Sequence, residues 1–159
     1  MRHDAPPPAE LHHCSRAYPP ILRKARFSKA ADFADCRFTH PLNFNTAEFA
    51  EDANFDRVIF LQFVDFAGAH LADSFVLSPP QGSDGLAPEI RFESVVFDNP
   101  TKVRFKTISF EEITLMGTNL RGIWFENPKW PRRGLFKSTK RAVVYDEIQK
   151  ETPDAQKLA

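Results

Sequence analysis

The sequence predicts an all-β solenoid of about four to five coils, and three observations predict it. Large apolar residues recur at intervals of five or six from Phe27 to Leu77 without a slip. A second apolar residue, half the time Ala, stands two positions before each of them. The positions between fall to Asp, Asn, Glu, Arg, Ser and Gly, as a solvated surface requires. A helix has a period of 3.6 and a lone strand a period of 2, so neither produces this comb. A chain that turns a corner after each short extended segment does.

The elements follow in order. Residues 1–21 are Pro-rich and aperiodic, which predicts a flexible arm. The β-helix is expected over 22–130. Its first array is centred on Phe27, Phe33, Phe38, Phe44, Phe49, Phe55, Phe60, Phe66, Leu71 and Leu77. The stretch 78–89, "SPPQGSDGLAPE", holds three Pro and two Gly and predicts a loop inserted into the array. The second array is centred on Phe92, Phe97, Phe105, Phe110, Leu115, Leu120, Phe125 and Trp130, with three extra residues delaying Phe105. Residues 131–159 form a basic tail, where Val144 and Ile148, four apart among charges, suggest a short helix.

If four segments make one coil, the first array repeats every 22 residues, so equivalent centres stack. Phe27, Phe49 and Leu71 then share a column, as do Phe33, Phe55 and Leu77, while Phe38 lies against Phe60 and Phe44 against Phe66. Parallel pairing would set neighbouring coils ~4.8 Å apart. Leu42 and Phe75 stand where a small residue is expected, so a bulge or shifted register is predicted there. Asn99 and Pro100 should form a corner, because Pro cannot donate to a ladder. Thr118 alone breaks the apolar rule of the second array at the position two before a centre.

The units "ADFAD", "AEFAE", "ANFDR" and "TNLRG" resemble the pentapeptide-repeat family, and the resemblance covers about residues 25–130. It implies a right-handed quadrilateral β-helix with the central Phe or Leu and the preceding small residue inward. The alternating spacing looks like the Phe-rich bacterial branch. The closing "VRFKTISFEEITLMGTNLRGIWFENPKWPRRG" resembles longer members in which a helical region generally follows, so a truncated gene or a fragment is an expectation.

Composition narrows the function. The chain of 159 residues carries 21 basic and 21 acidic side chains, which favours no nucleic acid as a partner, and residues 27–90 hold three basic against ten acidic. No secretory signal core or apolar run of about 18 residues is present, so a cytoplasmic location is expected. Cys14 and Cys36 do not make a disulfide framework, and reduced thiols are the simpler expectation. His12, His13 and Cys14 lack the spaced second pair of a structural zinc site, and His40 and His70 belong to no nucleophilic motif. No cofactor, metal or catalytic residue is therefore assigned.

The outward acids Asp32, Asp35, Glu48, Glu51, Asp52, Asp56, Asp65 and Asp73 read as solvated surface on an array too short to build a catalytic cleft. The expected function is a non-catalytic protein-interaction scaffold or capping domain with an unidentified protein partner, contacted through Glu48, Glu51, Asp52, Asp56, Ser78, Gln81 and Asp84. The resemblance also implies an alternative, a DNA mimic that binds a type II topoisomerase. A third reading is a membrane-associated module of a longer protein, with Arg132, Arg133, Lys140 and Arg141 making peripheral contact with anionic lipid.

Overall fold

A computed structural model describes residues 22–83, 89–110 and 113–129, and the backbone of 132–133 and 141–142. The expected N-terminal arm and C-terminal helix, Asp84 and Trp130 lie outside the described residues. The described chain is a parallel β-solenoid of about four turns with four faces. Along the chain the first coil is β1 (Arg26–Phe27), β2 (Ala31–Asp32), β3 (Arg37–Phe38) and β4 (Leu42–Asn43). The second is β5 (Glu48–Phe49), β6 (Ala53–Phe55), β7 (Ile59–Phe60) and β8 (Val64–Asp65). The third is β9 (His70–Leu71), β10 (Phe75–Leu77) and β11 (Ile90–Arg91). The fourth is β12 (Val96–Phe97), β13 (Val103–Lys106) and β14 (Ile113–Thr114), followed by β15 (Trp124–Glu126). Beyond it, β16 (Arg132–Arg133) and β17 (Arg141–Ala142) pair antiparallel.

Strands four segments apart pair in parallel. The first face is β1-β5-β9-β12, the second β2-β6-β10-β13-β15, the third β3-β7 and the fourth β4-β8-β11-β14. The predicted columns hold residue for residue, with Phe27 against Phe49 and Phe49 against Leu71, and with Phe55 against Leu77. Inside, the rings stack: Phe27 on Phe49 at 4.6 Å between centroids, Phe33 on Phe55 at 4.6 Å and Phe44 on Phe66 at 4.8 Å. Phe97, Leu120 and Phe125 are only partly buried, and the other described centres are buried.

The alternation of five and six has a structural cause. The five-residue steps from Phe33, Phe44 and Phe66 each close a tight turn in which the centre's carbonyl accepts the N–H three residues on, Cys36 to Phe33, Ala47 to Phe44 and Ala69 to Phe66. The third residue of each turn has positive φ, at Asp35, Thr46 and Gly68, which is type II geometry. Asp or Asn just before the centre accepts the N–H two residues on: Asp32 from Ala34, Asn43 from Asn45, Asn54 from Asp56, Asp65 from Ala67 and Asn119 from Arg121. The repeat's acidic or amide position thus shapes the backbone as well as meeting water. In the strict-five second array, Leu115 and Leu120 both open such turns, with Gly117 and Gly122 at positive φ.

Four expectations are corrected or refined. Leu42 and Phe75 cause no bulge, since Leu42 pairs in register with Val64, and Phe75 with Ala53 and Val103. Two centres of the third coil, Leu71 and Leu77, are Leu, and the Phe75 ring fills that volume beside Phe55, Phe66 and Phe105 at 5.7–6.0 Å. Thr118 is buried because its hydroxyl donates to the Phe92 carbonyl and accepts the Val95 N–H at 3.0 Å. Cys36 is disulfide-bonded, not a reduced thiol. The corner expected at Asn99 and Pro100 is a 3-10 turn, Pro100–Lys102, held by Asn99 Nδ2 donating to the Ala72 carbonyl at 2.8 Å.

Candidate interaction surface

Pairing in register turns the outward residues into columns. The first face presents Arg26, Glu48, His70 and Val96, and the second presents Asp32, Asn54, Val76, Arg104 and Trp124. The fourth presents Asn43, Asp65, Arg91 and Thr114. The loop after Leu77 takes the place of a third-face strand in the third coil. Pro79 and Pro80 follow at once, and neither can donate to a ladder.

The acids meet partners on neighbouring coils. Arg57 grips Asp35 through two bonds, Nε to Oδ1 at 2.8 Å and Nη2 to Oδ2 at 2.6 Å, and also donates to Asp56. This guanidinium holds the Asp35 carboxyl below its ordinary range and is itself raised. Asp56 further accepts from Ser78 Oγ at 2.7 Å and lies 3.6 Å from Lys106 Nζ. Asp52 accepts from Ser74 Oγ at 2.6 Å, and Asp73 from Lys102 Nζ at 2.5 Å, which raises the lysine's pKa. Glu48 lies 3.8 Å from Arg26 Nε, and Glu51 accepts the Ala30 N–H at 3.0 Å. His70 Nε2 lies 2.9 Å from Asp98.

The partner-binding candidates of the sequence therefore do not form one patch. Glu48 is on the first face, Glu51 and Asp52 are at the corner between the first and second, and Asp56 is at the corner between the second and third. Ser78 is buried, accepts the Arg57 N–H at 2.8 Å and pins the start of the loop, whereas Gln81 is exposed. Among the described residues no three His, Cys, Asp or Glu side chains group to hold a metal ion, and no helix is long and apolar enough to cross a membrane.

Sequence reasoning passed over Trp124, at 59% exposure the most exposed large apolar side chain among the described residues. The Arg104 guanidinium stands 5.7 Å from its ring centroid, one coil below in the same column. Its signal was present as an aromatic residue at an outward position, next to the inward Phe125. Val96 and Met116 are further exposed apolar residues, at 52% and 45%.

Residues 22–70 match the family model described as pentapeptide repeats, in nine copies. No curated protein and no solved structure matches the chain. The repeats begin a four-faced coil that continues in register through Phe105 and Phe125, and over residues 22–70 the chain is similar to the pentapeptide-repeat family.

Proposed function

We propose that the solenoid is a non-catalytic scaffold that binds a protein partner, with the second face around Trp124 and Arg104 as its principal contact. The observation that supports this reading is the exposed indole backed by a guanidinium on one paired sheet face. Trp and Arg are the residues most enriched where interfaces concentrate their energy. The outward carboxylates take part in ladders between coils, which argues against a pair of acids poised for catalysis.

The acidic first array supports the DNA-mimic reading through its charge alone, and Arg57, Lys102 and Lys106 neutralise part of that surface. Affinity capture with the full chain separates the readings. Trp124→Ala with Arg104→Ala should lose a captured protein partner, whereas Lys at 48, 51, 52 and 56 should retain it. A supercoiling assay should show no effect on gyrase. Gyrase inhibition abolished by the four Lys substitutions, with capture unaffected by loss of Trp124, would reverse the assignment. Release from anionic vesicles on neutralising Arg132, Arg133, Lys140 and Arg141 would instead favour the membrane module.

A further inference from the structure

Two arginines of the coil offer the same edge to different surroundings. Arg57 closes the fork of Nε and Nη2 on both oxygens of Asp35, at 2.8 and 2.6 Å, one coil below. Arg104 is held from its other side, because its Nη1 donates to the Thr101 carbonyl at 2.9 Å and to the Val103 carbonyl at 3.3 Å. Its Nε and Nη2 remain as a paired set of donors. The acids nearby are engaged elsewhere, with Asp73 2.5 Å from Lys102 Nζ and Asp56 3.6 Å from Lys106 Nζ. Among the described residues the one buried side-chain nitrogen without a hydrogen bond is Arg91 Nε, so both donors of Arg104 reach water. In its column the guanidinium has apolar neighbours, Trp124 above with its ring centroid at 5.7 Å and Val76 below in register.

We propose that this edge of Arg104 receives one carboxylate of the protein partner, an Asp or Glu beside an apolar side chain that lies on Trp124; the inference rests on the second face being the contact surface. A planar carboxylate fits the fork through two parallel bonds, as Asp35 does on Arg57. Between Trp124 and Val76 such a bond is less weakened by water than on an open polar surface. A chain of phosphates fits these surroundings poorly. Lys102 and Lys106 already have acidic partners, and Glu126 stands exposed in register with Lys106, so a row of negative charges would meet acids around the single open cation of this patch.

The test selects displayed random peptides on the immobilised full chain, resynthesises the most enriched one and measures its binding by calorimetry. Enriched peptides should carry Asp or Glu beside an apolar residue. Changing that acid to its amide should weaken binding on the order of ten- to a hundredfold, the effect of losing a hydrogen bond to a charged group, and Arg104→Gln should do the same. Both changes together should cost no more than either alone, because they remove one contact. Arg104→Lys keeps the charge without the fork and should restore little. Trp124→Ala should also weaken the peptide, and each variant should keep the circular-dichroism spectrum of the coil. Enrichment of peptides without an acid, bound through Trp124 but indifferent to Arg104→Gln, would overturn the proposal and leave the second-face contact standing. Binding that ignores both Arg104→Gln and Trp124→Ala, or no enrichment at all, would overturn both. An oligonucleotide or phosphopeptide held at Arg104 more tightly than the acidic peptide would overturn the choice of a carboxylate.

Discussion

Replacing Phe55 by Ala tests the stacking most severely. Phe55 is fully buried, and its ring lies 4.6 Å from Phe33, 5.5 Å from Phe66, 5.7 Å from both Phe44 and Phe75, 6.2 Å from Phe60 and 6.4 Å from Phe49. A buried Phe→Ala change costs about 3–5 kcal/mol. Six ring contacts on three coils leave no neighbour free to collapse into the space, so we expect the upper end, about 5 kcal/mol. At about 4 °C per kcal/mol for a domain of this size, the melting temperature should fall by roughly 20 °C. Phe97→Ala serves as the comparison, since its ring is partly buried and should cost about half as much. Denaturant unfolding followed by circular dichroism reads both, with the slope m checked for constancy because solenoids can lose cooperativity. If Phe55→Ala does not fold, Phe55→Leu should still lose more than Phe97→Leu. A loss below about 1 kcal/mol, or equal losses at the two sites, would refute the inter-coil packing.

Other substitutions probe particular contacts. Thr118→Val keeps the shape but orphans the buried Val95 N–H, so it should cost about 1–3 kcal/mol, read by urea unfolding. Gly68→Val places a branched side chain at φ 65° with its Cβ only 3.2 Å from Thr46 Cγ2, and should lower the melting temperature, with Gly68→Ala intermediate. Asp35 has its pKa lowered in the fold by hydrogen bonding to Arg57, so its contribution is present above the unfolded value of about 3.9 and fades as pH falls through the folded value. Asp35→Asn should therefore lower stability at pH 7 and flatten the acid limb of a stability-against-pH curve below about pH 4, so that the difference from the parent protein shrinks as pH falls.

Much of this architecture is legible in the sequence because each centre repeats one chemical demand, a large apolar side chain facing a shared interior. Once the 22-residue offset is set, the columns follow, and even the clasp of Arg57 on Asp35 is a 22-residue pairing that could have been read in advance. Leu42 and Phe75 were misread because each position was judged alone. In the third coil the ring is moved to Phe75 while Leu71 and Leu77 shrink, so volume is conserved across the coil and not at each site. Thr118 was flagged but not explained, since its partners, Phe92 and Val95, lie a coil away. Cys36 shows the deepest limit: a partner for a cysteine depends on three-dimensional approach, which spacing along the chain does not encode. For the interaction surface, the charge count drew attention to the acids, whereas the coil pairs them with donors and leaves Trp124 outside.

The register of the coil buries the centres, pairs the acids and sets Arg104 beside Trp124. Ring-to-ring nuclear Overhauser effects in a protein with labelled phenylalanines test it most directly. This register predicts strong cross-peaks for Phe27 with Phe49, Phe33 with Phe55 and Phe44 with Phe66, whose centroids lie 4.6–4.8 Å apart. Cross-peaks joining Phe33 to Phe49 in the absence of one joining Phe33 to Phe55 would contradict it.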